Sequence, residues 1–250
     1  MQVLGIATGG DDAERVVDPV ADRLRERGRV AVVRQSDGTV AVDADGWEAA
    51  GSALAFDEVM DRLARDHDYG LVVDVPDARF PHVAAAGVEA HDPVVRFEDE
   101  LPVAAAVEAI EDAEPFETLG SLVDAIKRSD RADYAGAIAT FTGRVRALED
   151  EDDEFTTSLT FEKYEGVAEE RMREIETELE ARDGVERVLL HHRTGRIDAG
   201  EDIVFVVVLA GHRREAFATV EDGIDLLKEQ VPIFKKEVTT GEEFWVHERE

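Results

Sequence analysis

The chain has 250 residues, 44% of them hydrophobic, with no cysteine and a formal net charge of −31 at pH 7. That apolar content supports folded cores, while the missing cysteines exclude disulfides, thiolate metal sites and a thiol nucleophile. There is no basic stripe for a nucleic acid, no run of membrane-spanning length and no signal-peptide character in Met1-Gln-Val-Leu-Gly-Ile. A cytoplasmic protein is expected, with a solvated acidic coat of the kind that maintains solubility at high salt.

In chain order, Val3–Ala7 predicts a short buried strand that runs into a Gly-rich turn, Thr8-Gly9-Gly10-Asp11-Asp12. A helix follows to about Arg27, with Val16, Val20 and Leu24 on one face and Pro19 as a kink or first-turn marker. Val30–Arg34 and Thr39–Asp43 read as strands. Phe56, Val59, Met60 and Leu63 fit a helix at i, i+3, i+4, i+7, and Tyr69–Val75 is a further strand. This order predicts a small α/β domain over residues 1–110 with a largely parallel sheet. Its opening turn sits where a phosphate-binding loop would sit. Asp11, Asp12, Ala13 and Glu14 stand where such a loop needs a lysine and a Ser/Thr, and carboxylates there repel a triphosphate. Asp74 would be a magnesium-binding acid only in a live nucleotide site; the turn reads as structural.

Residues 98–115, acidic, Ala-rich and ending in Glu114-Pro115, read as the domain boundary. The second half, 114–250, predicts longer strands at Gly136–Leu148, Thr157–Tyr164, Val185–Thr194 and Ile203–Ala210. Helices fall near Gly166–Arg182 and Arg213–Gln230, the latter with a buried stripe of Phe217, Val220, Ile224 and Leu227. The acidic run Glu149–Glu154 reads as an exposed loop. An α+β domain results.

Lysine is the informative residue. The chain has five, and three of them lie in Lys228-Glu-Gln-Val-Pro-Ile-Phe-Lys235-Lys236. A lysine is a compact ammonium whose pKa shifts readily and which can act as acid, base or nucleophile. Lys228 falls in the last turn of a helix that Pro232 ends. Lys235 and Lys236 follow on a short strand, where alternation sends them to opposite faces. His212 and Arg213 stand at a strand-to-helix junction, where backbone N–H groups, an imidazole and a guanidinium form an anion site. Arg144 and Arg146, two apart on the predicted strand Phe141–Leu148, share a face. Structural alternatives stand beside each: Lys228 as a helix-dipole partner, Lys235 and Lys236 as a charged strand edge, the arginines as partners of abundant carboxylates. His191 and His192, adjacent on a strand, face opposite ways and make no metal pair.

The second half resembles the catalytic (large) subunit of molybdopterin synthase. The matching segments run in order: Gly136-Ala-Ile-Ala-Thr-Phe-Thr-Gly-Arg-Val-Arg146, Leu159-Thr-Phe-Glu-Lys-Tyr164, His191-His-Arg-Thr-Gly195 with Gly200, Gly211-His-Arg-Arg-Glu-Ala-Phe217, and Lys228-Glu-Gln-Val-Pro-Ile-Phe-Lys-Lys-Glu237 closed by Trp245. The first half more faintly resembles the molybdopterin-guanine dinucleotide biosynthesis adaptor family, a P-loop fold, though its turn departs from that family's Gly-Lys-Thr. The fold class expected is therefore α/β and α+β, a degenerate P-loop-like α/β domain fused to a synthase-like α+β domain.

The resemblance implies transfer of two sulfurs to cyclic pyranopterin monophosphate, giving the dithiolene of molybdopterin. The sulfur would arrive as a thiocarboxylate on the C-terminal Gly-Gly of a small ubiquitin-like carrier, in keeping with a chain that has no thiol. It implies that Lys228 and Lys235 line the chemical site, polarising the thiocarboxylate carbonyl, stabilising negative charge and moving protons, with a covalent role for Lys228 left open. It also implies that Arg146, His212 and Arg213, with Arg249, hold the phosphate and pterin. A homodimer within a heterotetramer is implied, with part of each pocket from the other chain. No cofactor and no metal are expected. Two other functions are compatible with the chain: a non-enzymatic adaptor for a molybdopterin intermediate, which would not require both lysines, and a weak P-loop NTPase using residues 1–110.

Overall fold

The computed structural model describes residues 1–10, 13–36, 39–45, 47–51, 55–75, 78–90, 92–98, 100–148, 154–164, 166–239 and 243–246. They form two compact units, Met1–Ser121 and Leu122–Glu250. Asp11 and Asp12 of the first turn, most of the acidic run 149–154, and Arg249 lie outside the described residues.

The first unit is built on one seven-stranded sheet. Its strands are β1 (Gln2–Ala7), β2 (Val30–Ser36), β3 (Thr39–Ala44), β4 (Trp47–Gly51), β5 (Tyr69–Val73), β6 (His82–Ala85) and β7 (Pro93–Phe97), in the order β4-β3-β2-β5-β1-β6-β7. The five strands from β2 to β7 are parallel, and β3 and β4 add an antiparallel edge. Three helices cover it: α1 (Ala13–Arg25), α2 (Phe56–Ala64) and α3 (Val103–Glu111). Alternation along β1 sends Leu4 and Ile6 into a core with Val17, Leu24 and Ile110, and Val3 into a second core with Met60 and Leu63. Burial on both faces is why β1 reads as a continuous apolar run. The helix α1 continues through Pro19.

Part of the stretch expected to hold the boundary is helical. Residues 103–111 form α3, which buries Ala106, Val107 and Ile110. An Ala-rich run is a good helix former, and the spacing of those three positions gives it a face to bury. The division falls further on, inside α4 (Leu119–Lys127).

The second unit holds two antiparallel sheets. One is β10-β12-β8, from β8 (Ala137–Arg144), β10 (Val185–His192) and β12 (Asp202–Ala210). The other is β11-β9-β13-β14, from β9 (Thr156–Lys163), β11 (Gly195–Asp198), β13 (Ile233–Thr239) and β14 (Glu243–Val246). Helices α5 (Val167–Glu180) and α6 (Arg213–Gln230) pack on the first sheet, α5 against β10 and α6 against β8 and β12. Val188, Leu190, Val206, Val208 and Ala139 face the helices and form one core with Ile175, Leu179, Val220 and Ile224.

The stripe of α6 differs from the expected one at Phe217, which is 67% exposed. The buried positions are Ala216, Thr219, Val220, Gly223, Ile224 and Leu227. Gly223 sets this rotation: a Cβ there would lie 3.0 Å from Val206 Cγ1, so the helix comes close to the sheet along a line of small residues. Phe217, one residue or about 100° round from Ala216, is carried off that line.

The outer edge of β10 is closed by carboxylates of α5. Val188 N–H donates to Glu180 Oε1 at 2.9 Å and Leu190 N–H to Glu176 Oε1 at 2.7 Å. These bonds satisfy donors that an edge strand leaves open, and burial pushes the Glu176 carboxyl up. Glu176→Ala is expected to lower unfolding free energy by about 1–3 kcal/mol, because a buried N–H loses its acceptor. Glu176→Gln, which keeps an acceptor oxygen, should lose less; urea titration of both variants checks this.

Candidate active site

The lysine segment reverses the chain. Lys228 lies exposed in the last turn of α6. Val231 N–H donates to Leu227 O at 3.0 Å to close that turn, Pro232 follows, and Ile233 opens β13. In the antiparallel ladder with β9, Ile233 pairs with Lys163, Lys235 with Phe161, Lys236 with Thr160 and Glu237 with Leu159. Directly paired residues share a sheet face. Lys235 therefore shares its face with buried Phe161 and Leu159 and with Ile197 of β11, which pairs with Leu159. Lys236 lies on the opposite face with Phe234, whose exposed ring meets Tyr164 edge-on at 5.5 Å. Both lysines are half-buried.

The other residues implied by resemblance divide into two groups. Arg146 lies beyond the end of β8, not on the strand, because β8 stops at Arg144. Val145 is instead held by the turn before β12: its N–H donates to Glu201 O at 2.9 Å and its carbonyl accepts from Gly200 N–H at 2.8 Å. The Arg144 guanidinium turns to the Gly200 carbonyl and lies 3.4 Å from Asp202. His212 and Arg213, both exposed, begin α6 after β12. Gly136 fixes that junction, since a Cβ on it would lie 2.8 Å from Gly211 O.

With only Gly211 and His212 between β12 and α6, the helix must fold back along the strand to pack on it. Lys228 thus lies near the β12 end that carries the Arg146 turn. Fifteen residues of helix, roughly 22 Å at 1.5 Å each, separate it from Arg213. One chain brings Lys228, Lys235 and Arg146 towards one end of the unit and places His212 and Arg213 at the other.

The MoaE protein family matches residues 113–230, so Lys228 lies inside the match and Lys235 just beyond it. A "Probable molybdopterin synthase" of Haloferax volcanii is 53% identical over 265 aligned positions that cover all of both chains. The chain belongs to the molybdopterin synthase catalytic-subunit family. A catalytic subunit from Cereibacter sphaeroides is 41% identical over 138 residues, which are 55% of this chain and 90% of that one. A solved molybdopterin synthase from Staphylococcus aureus aligns at 31% identity with a TM-score of 0.44, covering 46% of this chain and 83% of that one.

Within this family member the structure adds a lysine to which sequence reasoning gave no role. Lys163, the last residue of β9, has a side chain only 7% exposed, with its ammonium 2.5 Å from Glu169 of α5. The available signal was its place in the ordered segment Leu159–Tyr164, next to the residues that pair with β13. His191 and His192 diverge as alternation requires. His192 meets Phe161 edge-on at 4.9 Å, whereas His191 stacks on Phe205 at 6.3 Å. Burial, then the charge of Lys163, pushes the His191 imidazole down to about 3, so it is neutral at physiological pH.

In the first unit, the turn after β1 is closed by its own chain. Asp74, at φ 54°, accepts from Thr8 N–H at 2.7 Å and Gly9 N–H at 3.1 Å. It also accepts from the Thr8 hydroxyl at 2.8 Å. A carboxylate takes the backbone donors that a phosphate would use.

The His191 shift has a sign. The unfolded chain takes up a proton near pH 6.5 that the folded chain refuses until about pH 3, so this contribution is complete above about 6.5 and is lost as pH falls. Relative to His191→Gln, the protein should lose stability by up to about 1.4 kcal/mol per pH unit below 6.5. Paired denaturant titrations at pH 7.5, 6.5 and 5.5 check this; a constant difference would refute it.

Proposed function

We propose that this chain transfers sulfur from the C-terminal thiocarboxylate of a small carrier protein to cyclic pyranopterin monophosphate, with Lys228 and Lys235 at the chemical site. The family places the chain in molybdenum cofactor biosynthesis as the catalytic subunit of molybdopterin synthase. The observation that carries the finer reading is the reversal at Val231–Pro232. It joins the helix end bearing Lys228 directly to the strand on which Lys235 shares a face with Phe161.

The roles follow from the groups. Sulfur transfer bonds the thiocarboxylate sulfur to the pterin, after which water adds to the acyl carbon. The carbonyl must be polarised for that addition and the resulting oxyanion stabilised until the carbon–sulfur bond breaks and the carrier leaves as a carboxylate. An ammonium held against the reacting carbonyl does both. Protons must also reach the departing and adding groups, which a lysine can supply and a guanidinium cannot. Arg146, on the same side of the unit as Lys228, suits the substrate phosphate. His212, Arg213 and Arg249 are assigned to the phosphate and pterin by resemblance.

The distance along α6 supports a pocket shared between two copies. His212 and Arg213 can meet the lysines of a second chain without any change in the first. A homodimer carrying one small partner per subunit is the assembly proposed. Lys235→Ala is expected to abolish molybdopterin formation while dimerisation and carrier binding persist. Mixing Lys235→Ala chains with equally inactive Arg213→Ala chains should restore up to about a quarter of the activity, since half the dimers then hold one complete site. Product assays on the single variants and the mixture test both points: activity in Lys235→Ala removes the lysine role, and an inert mixture of folded dimers removes the shared pocket.

The first unit is read as a docking or scaffold domain of degenerate P-loop type, not as a nucleotide site. The Asp74 carboxylate over the turn after β1 supports this, because it would repel a phosphate. Equilibrium dialysis of the full chain with GTP and magnesium is expected to give no saturable binding; micromolar affinity would reverse the assignment.

A further inference from the structure

Lys163 is the feature that the proposed function leaves unused. Its ammonium lies under Glu169, whose side chain is 35% exposed where that of Lys163 is 7% exposed. The ladder places Lys163 opposite Ile233 and Lys235 opposite Phe161, so the two lysines share a face one residue pair apart. Diagonal neighbours of that kind are about 7–8 Å apart, within reach of long side chains.

A purely structural ion pair accounts poorly for this residue. A buried pair adds little net stability over apolar side chains of the same size, and several cross-element pairs among the described residues of this unit use arginine. Arg131 holds Glu186, Arg182 holds Asp222 and Arg187 holds Glu180. Arginine's rigid fork suits a permanent partner, whereas a lysine ammonium with three rotatable donors can exchange one anion for another. Glu169 is also equipped to let go. Its other oxygen accepts the Gly166 N–H at 2.7 Å, at the N-terminus of α5, where the helix dipole favours a carboxylate. Among the described residues around Lys163, Lys235 and Glu237 lie on its face from β13, Glu169 comes from α5, and His191 of β10 is neutral.

We propose that Lys163 is a specificity-determining anion-binding residue of the sulfur-transfer pocket, with Glu169 as the resting counter-ion that an arriving anionic oxygen group displaces. Exchange of one carboxylate for another anion leaves the charge around Lys163 unchanged, so it avoids the cost of a buried unpaired ammonium. The anion is either the phosphate of the pterin substrate or the thiocarboxylate end of the carrier. The inference rests on the reading that Lys235 faces the reacting groups.

The two halves of the pair make the test. Initial rates are measured with the cyclic pterin and the thiocarboxylated carrier varied separately, for Lys163→Met, Lys163→Arg and Glu169→Gln, with thermal midpoints alongside. Lys163→Met is expected to raise KM for one of the two reactants by about tenfold or more, the size of one charge-assisted contact, with a smaller fall in kcat. Whichever KM moves identifies the anion. Lys163→Arg should recover most of the loss, and Glu169→Gln should leave that KM unchanged or lower it. Equal rises in both KM values for Lys163→Met and Glu169→Gln, tracking a shared loss of thermal stability, would mark the pair as structural and overturn the proposal. So would KM values within twofold of the parent for Lys163→Met. If Lys163→Met does not fold, a raised KM in Glu169→Gln overturns it alone, and a lowered one supports it. Lys235→Ala, assayed in parallel, separates the two readings. Product from that variant defeats the pocket assignment itself, whereas its inactivity beside an unaffected Lys163→Met defeats only the role of Lys163.

Discussion

The close approach of α6 to β12 is the constraint on which the second unit depends. A glycine at 223 lets the helix settle to within van der Waals contact of Val206, and Ala216 and Val220 continue that line. Because the connection from strand to helix is two residues long, the helix has one direction available. That direction carries Lys228 back towards the Arg146 turn and leaves His212 and Arg213 behind. β13 begins just past the end of that helix, and its ladder with β9 sets Phe161 opposite Lys235.

The economy of charge in this chain gives the lysines their meaning. With 59 acidic and 28 basic side chains, exposed carboxylates outnumber their partners, and most surface ion pairs contribute little. A structural cation in such a setting can be an arginine. Lysine at Lys228, Lys235 and Lys163 places compact, exchangeable ammonium groups on α6, β13 and β9 around one chain reversal. Phe161 and Ile233 lie between Lys163 and Lys235, so charge on this face acts in apolar surroundings where Coulomb interactions are stronger than in water.

The first unit shows the same acidic economy used to an opposite end. Parallel strands with helices on both faces place a Gly-containing turn at the C-terminal end of β1, a position that in an open α/β sheet favours ligand binding. Here Asp74, just past the end of the neighbouring strand β5, accepts the backbone N–H groups of Thr8 and Gly9. The Haloferax relative covers this unit as well as the catalytic one, so the pairing of the two is shared between the two proteins.

The sequence by itself determined the order of the longer strands and helices of the second unit, because β12 is a long apolar run and α6 has a stop signal at Pro232; β8 ends short of the expected Leu148, and the short elements α4, β11 and β14 were not read from it. It also determined the split between Lys235 and Lys236, since alternation along a strand is local geometry. Phe217 escaped it, because the pattern Phe-x-x-Val-x-x-x-Ile-x-x-Leu is helical whichever way the helix is turned, and only Gly223 against Val206 fixes the rotation. Helix α3 escaped it too, since an Ala-rich acidic run reads equally as linker until a sheet face is there to bury Ile110. Lys163 was visible as a letter in a motif but not as a neighbour of Lys235, because the register of β9 on β13 joins residues seventy positions apart. The separation of Arg213 from Lys228 likewise needed the packed helix. Local periodicity is written in adjacent residues; proximity across the fold is set by which faces pack together, and that is decided only when the chain closes on itself.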